Sequence, residues 1–213
     1  MEHRSISIAD QIFERLEREI LTGEYSRGDI LTEMKLSEKL GVSRTPIREA
    51  LRRLAQENII EMTPKGAIVI GISKEDLKAI YEMRYRVEGM AANLAAQHIT
   101  PESARELQNI VELQEFYTQK GDAENIKNMD SAFHEKMYDL SKTPSLSSIL
   151  KEMHKKILKY RRASVSNSSR AEHSLQEHRA ICEAITNGNA ELAEMLVTIH
   201  IDNARKHLMQ MNA

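Results

Sequence analysis

Residues 41–60 of this 213-residue chain read GVSRTPIREALRRLAQENII, and their pattern predicts a helix with one charged face. Three arginines spaced four residues apart, Arg44, Arg48 and Arg52, fall along one side of such a helix. Leu51 and Leu54 point to the opposite side, where a core would lie. The row of guanidinium groups indicates an anionic partner, because arginine binds phosphates and guanine edges through two parallel hydrogen bonds.

The stretches on either side of this helix predict a winged helix-turn-helix. SIADQIFERLEREILTG, residues 7–23, repeats apolar side chains at helical spacing. A short helix over LTEMKLSEKL, residues 31–40, begins at a Thr32 cap and ends at Gly41. IIEMTPKGAIVIGI, residues 59–72, alternates around Pro-Lys-Gly, which is typical of a two-stranded hairpin.

The rest of the chain is predicted to be helical, beginning at Ser73 with Asp76 three residues later as a capping box. The predicted segments are residues 73–98, 101–119, 122–141, 144–165, 174–186 and 190–210. A polar joint, SVSNSSRAEHS, precedes the fifth segment. Short connections favour an antiparallel bundle. The predicted fold is therefore mainly α, with a winged helix-turn-helix over residues 1–72 and a six-helix bundle over residues 73–213.

The composition excludes several classes of protein. Cys182 is the single cysteine, so no disulfide forms within the chain. No apolar run approaches the roughly 18 residues of a membrane helix, and the first residues lack a signal-peptide core. We expect a cytoplasmic protein that does not enter the membrane. The net charge of −2 does not exclude nucleic acid, because a local patch matters more than the sum.

Three of the eight histidines fall on inward-facing stripes of different predicted helices: His134, His178 and His200. Asp130 lies one helical turn before His134 and points the same way. Imidazole nitrogens with a carboxylate suit a divalent transition ion such as zinc, nickel or manganese, although a single inward histidine is more often a hydrogen-bonded core residue. The remaining histidines are predicted to titrate at the surface; they are His3, His98, His154, His173 and His207.

Residues 31–70, LTEMKLSEKLGVSRTPIREALRRLAQENIIEMTPKGAIVI, resemble the DNA-binding domain of the GntR family of bacterial transcription regulators. The resemblance implies DNA contacts from the predicted third helix and the wing; the residues are Arg44, Thr45, Arg48, Lys65 and Gly66. Arg52 continues the same row. Some family members have an arginine where this chain has Met34, and Lys35 beside it is the candidate substitute.

Three later stretches resemble the FCD ligand-binding domain of the FadR branch of that family: EMRYRVEGMAA, DSAFHEKMYDL and QEHRAICEAITNGNAELAEMLVTIH. The resemblance implies a metal held by Asp130, His134, His178 and His200, beside a cavity for a small organic acid. Arg84 matches an arginine that lines such cavities, with Tyr81 and Asn203 added from their expected facing; the alternative for Arg84 is an ion pair with Glu88. Six helices resemble the shorter, VanR-like subgroup.

The expected protein is a homodimeric repressor that reads a palindromic operator in double-stranded DNA and is not an enzyme. Its operator binding would respond to a small organic acid at the metal site. The rival hypotheses are a metal-dependent hydrolase, a protein-binding winged-helix adaptor, and a regulator with a purely structural metal. For the arginine row, the rival is a solvated face paired with Glu49 and Glu57.

Overall fold

The computed structural model describes residues 7–21, 23–71, 73–164 and 169–211, with the side chains at 74, 158–164, 169 and 209–211 outside this description. Within it the chain forms two compact units. Among the described residues, one unit comprises residues 7–76 with 158–164, and the other comprises residues 77–157 with 169–211. Ile72, where the sequence places the domain boundary, lies outside the described residues. None of the described helices combines the length and apolar content needed to cross a bilayer.

The first unit contains three helices and a small sheet. Its elements are α1 (Ile8–Leu21), β1 (Ile30–Leu31), α2 (Glu33–Leu40), α3 (Arg44–Gln56), β2 (Ile60–Thr63) and β3 (Gly66–Val69). Each helix buries one apolar stripe in a shared core, in which Leu16, Leu36 and Leu54 are almost completely enclosed. The predicted winged helix-turn-helix is therefore confirmed as the architecture of this unit.

The sheet has one strand more than the predicted hairpin. β2 and β3 pair antiparallel as expected, and β1 adds to the free edge of β3, with Ile30 opposite Ile68. Two residues are too few to show an alternating pattern in the sequence. Gly66 explains why β1 fits, because a Cβ atom there would lie 2.7 Å from the Leu31 carbonyl oxygen.

The turn between α2 and α3 follows from two residues. Thr32 caps α2 by accepting a hydrogen bond from the Lys35 backbone N–H. Gly41 ends α2 in the left-handed region, with φ of 67°. This sharp stop lets α3 begin at Arg44, only three residues later.

The second unit contains most of the long helices that follow, while residues 74–76 and 158–164, at the ends of two of these helices, belong to the first unit. The long helices are α4 (Lys74–Gln97), α5 (Pro101–Lys120), α6 (Ala123–Leu140), α7 (Pro144–Ser164), α8 (Ser169–Thr186) and α9 (Ala190–Met211). Five of the six predicted segments agree with these bounds to within about two residues. The predicted start of the fifth, at Ser174, is wrong, because the helix already begins at Ser169. The serines before and at its first residue predict a joint, whereas Arg170 pairs along the helix with Glu177.

Helices α4 and α9 run antiparallel and pack closely at Gly89. Glu82 contacts Arg205 and Asn93 contacts Glu194, so residue numbers increase along α4 in the direction in which they decrease along α9. A Cβ atom at Gly89 would lie 2.8 Å from the Thr198 hydroxyl oxygen. The missing side chain therefore sets how close the two helices lie.

Candidate functional site

The exposed face of α3 carries the arginine row of the first unit. Arg44, Arg48 and Arg52 are exposed, while the core residues of the same helix are buried on its other side. Thr45, Lys35 and Lys65 are exposed as well, and Gly66 is half-buried in the wing. These cations and the first-turn amides of α3 can bind phosphate groups.

Arg48 is held by the Glu33 carboxylate of the neighbouring helix α2, and not by Glu49 or Glu57. Its Nε and Nη2 atoms donate to Glu33 Oε1 and Oε2, each at 2.7 Å. The hydrogen bond from Arg48 lowers the pKa of Glu33, and the charges of Arg44 and Arg52 act in the same direction. The rival hypothesis for the arginine row named Glu49 and Glu57 as partners, whereas Arg48 pairs with Glu33. Half of the Arg48 side chain stays accessible, at 52%.

A fourth arginine of α3, Arg53, contacts helix α1. It pairs with Asp10 and lies over the Phe13 ring, 4.2 Å from the ring centroid. These contacts fasten α3 to α1. Arg53 therefore supports the unit while the other three arginines remain on the outer face.

Thr63 organises the wing turn and was missed in the sequence. Its hydroxyl donates to the Gly66 carbonyl at 2.7 Å and accepts the Lys65 backbone N–H at 3.3 Å. These bonds fix the backbone at the tip, where Lys65 is exposed. A threonine just before Pro-Lys-Gly is the signal that could have identified it.

In the second unit, His134 from α6, His178 from α8 and His200 from α9 meet in the interior. They are 2%, 0% and 4% exposed. One ligand nitrogen from each lies within 4.8 Å of the other two, and Nε2 of His134 is 3.3 Å from Nε2 of His200. Two nitrogens that are each about 2.1 Å from one ion lie roughly 3.0–3.4 Å apart, so this pair fits a shared metal.

Asp130, the fourth predicted ligand, lies beside this cluster. Its Oδ1 atom is 3.9 Å from His178 Nε2 and accepts a hydrogen bond from the Ser174 hydroxyl at 3.3 Å. His178 Nε2 is buried and has no hydrogen-bond partner among the described residues. An orphaned buried nitrogen is costly, and a cation between it and Asp130 would satisfy it. The donor set therefore fits a divalent transition metal.

Oxygen atoms face the other ring nitrogen of each histidine. The distances are 2.8 Å from Gln114 Oε1 to His178 Nδ1, 2.7 Å from Glu177 Oε2 to His200 Nδ1, and 3.5 Å from Glu88 Oε2 to His134 Nδ1. The sequence did not assign these three oxygens to the histidines. Gln114 carries a visible signal, because it continues the buried stripe of Leu107 and Val111 with a polar side chain.

Arg84 and Tyr81, two of the predicted effector residues, are buried near each other on α4. The Arg84 guanidinium carbon lies 5.6 Å from the centroid of the Tyr81 ring. Arg84 Nε donates to Glu88, which also accepts a hydrogen bond from the Tyr138 hydroxyl at 2.8 Å. The ion pair that was the alternative for Arg84 is therefore present. Asn203, the third candidate, donates to Glu177 at 2.8 Å.

The sequence-based prediction for His154 is wrong. It was expected to titrate at the surface, but it is 2% exposed. Its ring centroid lies 4.8 Å from that of His134, and its Nδ1 atom is 3.4 Å from Arg84 Nη2. The signal was its position on a buried stripe of α7, between Leu150 and Ile157.

Burial determines the charge states in this cluster. It lowers the pKa of His178, His154 and His200, and neighbouring positive charges lower the first two further. Burial alone would raise the pKa of Glu88, but Arg84 and His134 outweigh it and hold that carboxyl ionised. A lowered imidazole pKa favours the neutral ring, which is the form of histidine that binds a metal.

Comparison with known proteins identifies both units. Residues 8–70 match the gntR family of bacterial regulatory proteins, and residues 79–203 match the FCD domain. The HTH-type regulator YdhC of Bacillus subtilis is 29% identical over 93% of this chain and 89% of its own. McbR of Escherichia coli is 33% identical over 72% of this chain and 69% of its own.

Two further comparisons extend these matches. A solved structure of E. coli McbR covers 98% of this chain and 100% of its own, with a TM-score of 0.75 and 26% identity. The gluconate operon repressor of Bacillus licheniformis is 35% identical over 56% of this chain and 49% of its own. These relatives are transcriptional regulators and not enzymes, which removes the hydrolase hypothesis. The chain belongs to the GntR family of bacterial regulatory proteins and is a DNA-binding transcriptional regulator with an FCD domain.

Proposed function

We propose that this regulator is a homodimeric repressor whose operator binding is controlled by a small organic acid at a metal centre. The observation that carries the proposal is the meeting of His134, His178 and His200 beside Asp130 inside the FCD unit. The ion would be zinc, nickel or manganese, and it would supply positive charge for an anionic effector. Repression is supported by the relative named as a gluconate operon repressor. A regulator of this kind would act in the cytoplasm.

The arginine row of α3 would read the operator. Arg44, Arg48 and Arg52 would enter the major groove, with Thr45 and Lys35 on phosphates. Lys65 and Gly66 would bring the wing to the backbone or the minor groove. A palindromic operator would engage two such units, as the symmetry of a dimer requires.

The dimer is supported by an exposed apolar face on α4 and α9. Met83 and Met90 on α4 are exposed, and so are Leu192, Met195 and Ile199 on α9. Met90 follows Gly89 and Ile199 follows Thr198, so each lies about 100° around its helix from the contact between those residues. Because the two helices are antiparallel, these stripes share one outward side. The occupant would be the same face of a second copy.

The effector would act through α4. This helix carries Tyr81, Arg84 and Glu88, and it starts at the Ser73 cap, four residues after β3 ends. A ligand that prefers one setting of α4 would shift the population of DNA-binding dimers. Asn203 would contribute through Glu177. The six helices from α4 to α9 support placement in the VanR-like subgroup.

The test begins with elemental analysis of the purified protein and fluorescence anisotropy with a palindrome from upstream of its gene. We expect a divalent metal, with operator binding that organic acids weaken. Arg48→Ala should lower operator affinity about 10-fold to 100-fold while leaving the metal in place. Arg18→Ala removes the same charge from the exposed side of α1 and is the matched control.

The variants of the metal cluster complete this test. His178→Ala and His134→Ala should lose the metal and the response to organic acids while still binding the operator. A full metal complement in both variants would show that the ion lies elsewhere. A metal that is lost without any change in operator binding, in a protein that no organic acid affects, would favour a purely structural ion.

A further inference from the structure

Two of the three histidines of the candidate metal centre share one arrangement of their ring nitrogens. His178 Nδ1 lies 2.8 Å from Gln114 Oε1, and His200 Nδ1 lies 2.7 Å from Glu177 Oε2. His134 Nδ1 lies 3.5 Å from Glu88 Oε2, and neither atom has a hydrogen-bond partner among the described residues. Each Nε2 points toward the cluster. Nε2 of His134 and of His200 are 3.3 Å apart, and Nε2 of His178 is 3.9 Å from Asp130 Oδ1.

The chemistry of imidazole then determines which ring nitrogen carries the proton. A neutral ring has one N–H and one lone pair. A carboxylate accepts hydrogen bonds and has none to donate, so the nitrogen that faces it carries the proton. The proton on Nδ1 leaves the lone pair on Nε2, which is the atom available to an ion.

We propose that Gln114 and Glu177 are positioning residues that hold His178 and His200 with the proton on Nδ1, so that their Nε2 lone pairs are available to one divalent cation. The cation is that of the proposed function, and the inference rests on it. The proton positions, however, belong to the protein alone and can be measured without any metal.

Other side chains keep both carboxylates in place. Glu177 accepts hydrogen bonds from Arg170 Nη2 at 2.8 Å and from Asn203 Nδ2 at 2.8 Å. Glu88 accepts hydrogen bonds from Arg84 and Tyr138, so its second oxygen is the one directed at His134. Fixed outer partners of this kind raise the affinity of histidine for metals by holding the ring in position.

Gln114 differs from the two carboxylates because an amide can present either an oxygen or an N–H. With Oε1 toward His178, the ring keeps its proton on Nδ1. A reversed amide would donate to Nδ1 and move the proton to Nε2, which would remove His178 from the ligand set. Of Gln114 and Glu177, Gln114 is therefore the residue at which substitution tests the proposed proton position most directly.

The first experiment measures the nitrogen-15 chemical shifts of the imidazoles in the metal-free full-length protein at pH 7.5. Single His→Ala variants assign each ring. We expect His178 and His200 to show a protonated Nδ1 and an unprotonated Nε2. Finding the proton on Nε2 in either histidine would overturn the assignment for that ring.

The second experiment measures zinc and nickel affinity by competition with a chromophoric chelator. Gln114→Leu keeps the size of the side chain and removes the oxygen, so affinity should fall about 10-fold to 100-fold. Gln114→Glu restores an acceptor and should recover most of that loss. Gln108→Leu, on the exposed side of α5, is the control and should leave the affinity unchanged.

The outcomes separate this inference from the proposed function. If Gln114→Leu binds zinc as tightly as the natural chain does, the positioning role of Gln114 is disproved. If Gln114→Glu loses as much affinity as Gln114→Leu, the loss reflects packing and the role is again disproved. If the natural chain binds neither ion yet shows the expected proton positions, the metal hypothesis fails and the tautomer assignment stands.

Discussion

Glu88 lies between Arg84 and His134 in the buried polar cluster of the second unit. One carboxylate, fully enclosed, accepts hydrogen bonds from Arg84 and Tyr138 and faces His134. A buried charge is tolerated only with a close partner, and Arg84 has the same requirement. The residue proposed to bind the effector and a residue proposed to bind the metal therefore share one neighbour.

Replacing the Glu88 carboxylate tests how much it contributes to the free energy of unfolding. Glu88→Gln keeps the shape of the side chain but leaves the buried guanidinium of Arg84 without its counter-charge. We expect the free energy of unfolding to fall by about 3 kcal/mol in urea denaturation. Glu82→Gln, which changes a half-exposed pair on the same helix, should cost less than about 1 kcal/mol. Equal losses in the two variants would contradict the account given for Glu88.

The residues of the site differ in how readily the sequence reveals them. His134, His178 and His200 are visible because they fall on inward stripes of three predicted helices. His154 lies on a stripe as well, but lysines follow it and suggest a surface position. Gln114 and Glu177 become meaningful only through distances between helices, which no local pattern contains. The proposed ligands are therefore easier to find in the sequence than the side chains that contact them.

At the scale of the elements, the wing depends on Gly66. Its φ is 134°, and a Cβ atom would lie 2.7 Å from the Leu31 carbonyl oxygen. The helices of this unit follow from caps and apolar spacing, so their bounds were predictable. The strand β1 was not, because two residues show no period and its pairing depends on a glycine more than thirty positions later.

Substitution of this glycine should separate steric conflict from backbone strain. Gly66→Ala forces a methyl group onto β1, whereas Gly23→Ala, also at positive φ, meets nothing within 4 Å. Both changes incur strain of about 1–3 kcal/mol. We expect Gly66→Ala to lower the free energy of unfolding further and to weaken DNA binding. Similar losses in the two variants would show that β1 does not depend on the missing side chain.

For the whole molecule, the buried histidines link stability to pH. The folded-state pKa values of His154, His178 and His200 are lowered, so in acid the unfolded chain binds more protons than the folded one. Stability is then flat above the ordinary histidine pKa of about 6.5 and falls below it. Glu88 and Glu177 add a loss only below their ordinary range, near pH 4.5.

Denaturation of the metal-free protein between pH 7.5 and 5.0 measures this linkage. Each histidine that stays neutral in the folded state should lower the free energy of unfolding by about 1.4 kcal/mol per pH unit below 6.5. His154→Gln should flatten the profile while leaving two ring contributions. A natural chain whose stability does not change over this interval would contradict the burial of neutral histidines.

The proposed dimer face is tested at the same scale. Met195→Glu places a charge in the centre of the exposed stripe on α9, so we expect monomers in analytical ultracentrifugation and weaker binding to a palindrome. Leu113→Glu changes an equally exposed apolar residue on α5 and should leave the oligomeric state unchanged. Dimers that persist in Met195→Glu would place the interface elsewhere.

The crossing of α4 and α9 has a consequence for the ion. Gly89 lies next to Glu88, and Thr198 lies two residues before His200. The absence of one methyl group thus sets the distance between His200 and Glu88, the carboxylate that faces His134. Adding that methyl group in Gly89→Ala would move His200 away from Glu88, so the selectivity of the proposed metal centre would depend on a glycine that is not one of its ligands.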